Sequence, residues 1–485
     1  MRRSMAVLTV LCLLAFAAAA AAAAETVAGL PLHIHRFDSG AIRVWIGDHV
    51  SSTGVVAIPT AKGIVVIDTT GDPAVDRELR RIIARELGRD DFVMLINTHD
   101  HGDHTGGNEV YADCEIVGHA LVAEAMARQV AERPHSIEWG TRRVAELEPQ
   151  VAALAADAPD GPRLREELAV ARLHLAAAQA TMHSTPPTRT FTDRLDLDFG
   201  DTKFELFYIG GMHSASDIAV LVPKHRLLMT GDTMADVWLT ETPGCLASFT
   251  ARSGIAHDFP MLLRNWNLLL ARQADVGTLV TGHWNGELTW PGFERRVQYI
   301  ATLWDGVQRA AEAGTPLATV QADYALATRF PDLVDSRGCD PRFNAGTIRE
   351  MWSVVTGQSN ASDALMAVME DEARFAAVIA QVRAQSPDYY HDERSLNGIA
   401  YWMLQNGRAA QAVDVFRLNV ELYPGSWNTY DSLAEGLLQI GDREGAQANY
   451  ERSLELNPLN ENGLRMLEGI RSGGEPPAPV RPGQL

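Results

Sequence analysis

The chain has 485 residues and a mass of 52.9 kDa, more than one small core accommodates, so two or three domains are expected. Hydrophobic residues at 46% and charged residues at 21% exclude global disorder. A formal net charge of -20 opposes attraction to a phosphate backbone or an anionic membrane face and speaks against nucleic acid as a partner.

The first 24 residues read as a secretory signal peptide. Arg2 and Arg3 precede an apolar run from Met5 to Phe16, and an alanine tract ends at Ala24 before Glu25. Cleavage after Ala24 is expected, giving a periplasmic or secreted protein with no membrane attachment. A retained span from Met5 to Ala24 is the alternative, since it is long enough to cross a bilayer. Leu11 before Cys12 is too bulky for the usual lipoprotein signal. The mature chain keeps Cys114, Cys245 and Cys339, which allow at most one bridge within a chain and form no disulfide framework.

Short apolar runs follow: Ala41 to Ile46, Gly54 to Ile58, Gly63 to Ile67 and Phe92 to Ile96, with a helical pattern from Ala74 to Leu87. They predict strands of a buried sheet with one crossover helix. A second β-rich set comprises Lys203 to Ile209, Ile218 to Val222, Arg226 to Met229 and Val276 to Val280. Residues from about 25–30 to 300 therefore read as one α/β domain of two similar halves, with sheets packed between helices.

Between the halves, about 120–182, Val144, Leu147, Val151 and Leu154 recur at helical spacing. The turn from Asp157 to Pro162 interrupts them, and Leu164, Leu168, Ala171 and Leu175 resume the pattern. A helical hairpin is expected here, serving either as a dimerisation element or as a lid. Residues 301–385 read as a helical linking or capping region. In 386–471, Asn406-Gly407 matches Ile440-Gly441, Ala412 matches Ala446, Phe416 matches Tyr450 and Tyr423-Pro424 matches Asn457-Pro458, always 34 residues apart. That period is the signature of tetratricopeptide helix pairs, which present surfaces for a protein partner or self-association. The Gly- and Pro-rich tail, 472–485, is expected to be disordered.

The chemistry concentrates in Thr98-His99-Asp100-His101-Gly102-Asp103-His104, directly after the run ending at Ile96. Residues two apart in extended backbone point to one side, so His99 and His101 can converge on one metal. A turn at Gly102 lets Asp103 and His104 face a second. Three later loops each offer one donor after an apolar strand: His213 in Gly211-Met212-His213, Asp232 in Gly231-Asp232, and His283 in Gly282-His283. Asp68 ends the run Gly63 to Ile67, where a turn cap is one reading. Asn108, Trp284 and Asn285 adjoin these loops and are candidates for lining a pocket, with helix capping the alternative for Asn108. His33, His35 and His49 have no partner pattern and read as structural.

This ordered set resembles the metallo-β-lactamase fold superfamily of metal-dependent hydrolases. The resemblance implies a four-layer αββα sandwich, with His99, His101 and His213 on one metal, Asp103, His104 and His283 on the other, Asp232 bridging them, and Asp68 as the carboxylate behind the ligand histidines that orients them. Imidazole and carboxylate donors without thiolate suit zinc, with iron and manganese as alternatives. Two such ions about 3.5–4 Å apart would activate a shared water, and Asp103 would orient it as the catalytic carboxylate. The expected activity is hydrolysis of a small-molecule ester, lactam, lactone or thioester. Family β-lactamases usually carry Cys or Ser where Asp232 stands, whereas glyoxalase II and lactonases carry the bridging Asp. β-Lactamase, alkylsulfatase and persulfide dioxygenase-like oxidoreductase chemistry are the alternatives, together with a repeat-dominated interaction protein.

Overall fold

The structure, a computed structural model, describes residues 25–49, 52–155, 157–180, 185–234, 257–283, 289–333 and 341–472. The expected signal peptide, Trp284, Asn285, Cys245, Cys339 and the tail from 473 lie outside these residues. Two compact units divide the chain: residues to 305 with 324–347, and 306–323 with 348 onward.

The first unit holds two sheets. One has eight strands in chain order: β1 (Thr26–Val27), β2 (Leu30–Arg36), β3 (Ile42–Ile46), β4 (Val55–Thr60), β5 (Gly63–Ile67), β6 (Phe92–Ile96), β7 (Glu115–His119) and β8 (Arg189–Phe191). Pairing is antiparallel from β1 to β5 and parallel from β5 to β8. A parallel neighbour needs a crossover, which the helix Pro73–Leu87 provides between β5 and β6. The Asp72 carboxylate caps its start by accepting from the Ala74 N–H, and Gly88 ends it with a φ of 65°.

Strands β5 and β6 are buried on both faces, which is why they read as unbroken apolar runs. On one face, Ile64, Val66 and Leu95 pack with Val75, Leu79 and Ile83 of the crossover helix. On the other, Val65, Ile67, Met94 and Ile96 meet Leu206, Val220, Met229 and Val280 of the second sheet. That sheet comprises β9 (Arg194–Asp198), β10 (Lys203–Tyr208), β11 (Ile218–Val222), β12 (Leu227–Met229) and β13 (Thr278–Val280), in the order β13-β12-β11-β10-β9. The helix Phe259–Ala271 lies against it, with the Asn265 side chain donating to the Tyr208 carbonyl at 2.5 Å. Helix, sheet, sheet and helix form the expected four layers.

Two helices, Val122–Ala152 and Gly161–Gln179, stand between β7 and β8, and Leu147, Leu168 and Ala171 form a small core between them. In the second unit, helices Glu393–Gln405 and Ala409–Leu422 are followed by Trp427–Gln439 and Arg443–Leu456. Each of the latter starts 34 residues after its counterpart, so the sequence period is a period of helix pairs. Leu365, Phe375 and Val382 from preceding helices join the same core as Phe416, Leu437 and Tyr450.

Candidate metal centre

Strand ends place every candidate ligand. The chain leaves β6 at Ile96, and the Thr98 N–H donates to Asp68 Oδ1 at 2.7 Å, holding the start of the His99 to His104 segment against the end of β5. His101 precedes a short helical turn, Gly102–Thr105, which carries Asp103 and His104. His213 lies between β10 and β11, Asp232 follows β12 and His283 follows β13.

Two donor groups result. His99, His101, His213 and Asp232 each bring one ligand atom to within 4.8 Å of the others, and Asp103, His104 and His283 do the same. His101 Nδ1 is 2.8 Å from His213 Nε2. His104 Nε2 is 3.2 Å from His283 Nε2, which is 3.2 Å from Asp103 Oδ2. The Asp232 carboxylate lies between the groups: Oδ2 is 3.3 Å from His213 Nε2 and 3.0 Å from His283 Nε2, and Oδ1 is 3.4 Å from His104 Nε2. Gly282 permits this approach, because a Cβ there would stand 2.1 Å from Asp232 Oδ1.

The electrostatics are those of a cation site. Burial, reinforced by the neighbouring His104 and His101, pushes the His99 imidazole well below its usual pKa, so its ring is a neutral donor. Burial would raise Asp232, but His283 and His104 outweigh it and hold the carboxyl well below the usual range. Burial likewise opposes protonation of His283, yet Asp232 and Asp103 raise it to about 9. Among the described residues, His99 Nε2 and Asp232 Oδ1 are buried without a hydrogen-bond partner. Buried lone pairs with no donor are costly, and a divalent cation satisfies both. The residues therefore fit the metal pair that the ligand set implies.

Asp68 orients two of the ligands at once. Its Oδ2 is 3.0 Å from His104 Nδ1 and accepts from the Thr98 hydroxyl at 2.7 Å, which in turn lies 3.1 Å from His99 Nδ1. Protons on the two Nδ1 atoms leave both Nε2 lone pairs facing the centre. Asp68 adopts this role at a φ of 61°, a left-handed conformation that Asp and Asn tolerate better than other side chains. Asp68→Asn keeps the backbone and is expected to lower metal affinity about 10–100-fold. Chelator competition reads this directly, and wild-type affinity would remove Asp68 from the site.

Three supporting residues carry no motif. Asp217 accepts backbone N–H bonds from Met212, His213 and Ser214, at 2.8, 2.7 and 3.0 Å, and so fixes the His213 loop. Burial pushes its carboxyl up to about 6 despite those bonds. Ser216 Oγ donates to Asp100 Oδ1 at 2.5 Å and ties that loop to the His99 segment. Arg43, buried in β3, donates to the Thr281 carbonyl at 2.8 Å beside His283. An acid four residues after a loop histidine was the available signal for Asp217; nothing marked Arg43 apart from a charge in an apolar run. Asn108 forms a buried amide pair with Asn97 at 2.9 and 3.0 Å, which makes it a structural contact between the strand end and the following turn. His33 pairs with Asp48 and stacks on Trp45. His35 lies edge-on to Phe37. The His49 N–H bonds Glu166.

The chain is similar to several known proteins. The chain is 26% identical over 273 residues to the 2,4-dinitroanisole O-demethylase subunit alpha of Nocardioides sp. (strain JS1661), covering 56% of this chain and 62% of that subunit. It is 21% identical over 243 residues to the metallo-beta-lactamase type 2 of Bacillus cereus, covering 49% of this chain and 68% of that protein. The solved inverting sec-alkylsulfatase of Pseudomonas sp. aligns with a TM-score of 0.46 and 13% identity, covering 91% of this chain and 70% of that one. The chain thus spans less than two thirds of the demethylase subunit. The profile of the metallo-beta-lactamase superfamily matches residues 46–283, the stretch that contains both sheets' central strands and all seven candidate ligands. Residues 46–283 are a domain of the metallo-beta-lactamase superfamily, an enzyme superfamily whose members are mostly metallohydrolases.

Proposed function

We propose that this chain is a two-metal hydrolase, with zinc as the expected metal, that cleaves a small ester, lactam, lactone or thioester. The observation that carries the reading is the position of Asp232, buried between two complete donor groups and within 3.3 Å of a histidine of each. Two divalent cations held there would lower the pKa of a shared water to about 7 and polarise the substrate's carbonyl oxygen.

The chain's own residues do the rest. Asp103 keeps its carboxylate 40% exposed beside His283, so it can both donate to the centre and accept a proton from water at its free lone pairs. His99 and His213 provide donors from separate sheets, so the spacing of the pair is set by sheet packing.

Purified protein is expected to hold close to two divalent metals per chain by elemental analysis, and to turn over one class in a panel of esters, lactams, lactones and thioesters. An aryl methyl ether and a β-lactam belong in that panel, because the two relatives are named for an O-demethylase and a β-lactamase. A single iron per chain with oxygen consumption on a persulfide would replace the hydrolase reading by an oxidoreductase. We also propose export through residues 1–24, and partner binding or self-association through the helical repeats. Among the described residues, no helix is long and apolar enough to cross a membrane.

A further inference from the structure

We infer that the helices Val122–Ala152 and Gly161–Gln179 form the wall of a substrate pocket beside the metal centre, shaped for the apolar group of a neutral ester or lactone. The inference rests on the hydrolase reading for the reaction and on the cavity for the ligand.

A cavity of about 350 Å³ is lined by both helices and by the turn that carries Asp103, within the range in which small-molecule sites fall. Asp103 belongs to the cavity and to the second donor group alike, so a ligand seated against the helices has its reactive end at the centre. The first helix contributes Met126 and Val130, and the second contributes Ala177 and Ala178. The two alanines leave space where larger side chains would close the cavity. Val130 stays 43% exposed there, apolar surface that a ligand would cover.

Charge selects between substrate classes. Apart from the ligand Asp103, the described lining holds one anion, Glu109, and one cation, Arg133. Glu109 also pairs with Arg77 at 3.2 Å. Arg133 is likewise not free, and its charge is opposite to that of Glu109, so an anionic substituent gains no net attraction from the lining as a whole, whereas an apolar one gains burial. His174 lines the same wall and has no hydrogen-bond partner among the described residues, which leaves a ring nitrogen to donate to a carbonyl or ether oxygen.

The test compares p-nitrophenyl acetate, butyrate and the monoanionic succinate on the holoenzyme. Two added methylenes in an apolar pocket are expected to favour butyrate over acetate about tenfold in kcat/KM, and succinate should fall behind butyrate. Ala178→Leu fills the cavity from a half-buried position and should abolish the butyrate preference while metal content stays near wild type. Val130→Ala, on the exposed side of the wall, is expected to shift the preference toward longer acyl chains and guards against misfolding of the first variant. Calorimetric binding of butyl phenyl ketone, which cannot be hydrolysed, should weaken in Ala178→Leu by about the same factor. If wild type binds the ketone but cleaves no ester, the pocket stands and the hydrolase reading fails. If esters are cleaved without chain-length preference and Ala178→Leu changes nothing, the pocket is overturned and the hydrolase remains. A preference for succinate would overturn the neutral-substrate assignment.

Discussion

Asp232→Asn is expected to bring metal content well below two per chain and to weaken metal binding by about a thousandfold, with turnover falling in step. The side chain is 3% exposed and touches histidines of both donor groups. Asparagine keeps the shape and an acceptor oxygen but removes the negative charge that offsets repulsion between two cations. Leaving buried charge uncompensated costs about 3–5 kcal/mol, equivalent to roughly two to four orders of magnitude in affinity. The replacement amide also points an N–H₂ toward a neighbour, because His213, His283 and His104 surround both oxygens. His213→Ala should affect one group first, so the two variants separate: loss concentrated in one metal for His213→Ala, loss of both for Asp232→Asn. Elemental analysis with a small-ester assay reads each. Two metals at wild-type affinity and normal turnover in Asp232→Asn would show that this carboxylate does not bridge.

How far the sequence announced this arrangement follows from how each residue is buried. β5, β6 and β11 were legible to the residue because both faces are covered and the apolar run is unbroken. β9 was not, because Arg194, Asp196 and Asp198 alternate with its apolar residues and stay exposed. β8 has only three residues and β2 carries two histidines and an arginine, so neither produced a run. The seven donors could be named because metal ligands are chemically distinctive and cluster after strands. Arg43 could not, since its work is hydrogen bonding to backbone, and any polar side chain carries that potential. The charge in β3 is compensated in the third dimension, where the Thr281 carbonyl accepts from it and Asp232 lies near enough to favour its charged form. The same limit applies to the inserted hairpin, whose helices were predictable from spacing while the cavity they line depends on how Met126 and Ala177 meet the Asp103 turn.

The second unit is expected to lose stability as the pH rises from about 4.5 to about 7, and Glu435→Gln should remove most of that loss. Glu435 lies in the helix Trp427–Gln439 at 5% exposure and accepts from the Tyr401 hydroxyl at 2.8 Å and from the Asn462 amide at 2.9 Å. Burial is the main cause that pushes its carboxyl up to about 7, from an ordinary 4.5, against the lowering effect of the Tyr401 bond and with nearby Asp431 also raising it. A folded pKa above the unfolded one means that the native state binds more protons between the two values, so stability falls as pH climbs through that window and is level above it. At about 1.4 kcal/mol per unit, ionising this carboxylate costs on the order of 3 kcal/mol at pH 8. Glutamine keeps an oxygen for Asn462, while Tyr401 can accept from the new amide and donate to Ser432 Oγ, 3.2 Å away. Calorimetry of the full chain should therefore show one transition of Glu435→Gln raised by roughly 5–10 °C over wild type at pH 8. The two proteins should converge near pH 5. A variant less stable than wild type at pH 8 would show instead that the charged carboxylate stabilises the helix pairs, and the assignment of its raised pKa to burial would be wrong.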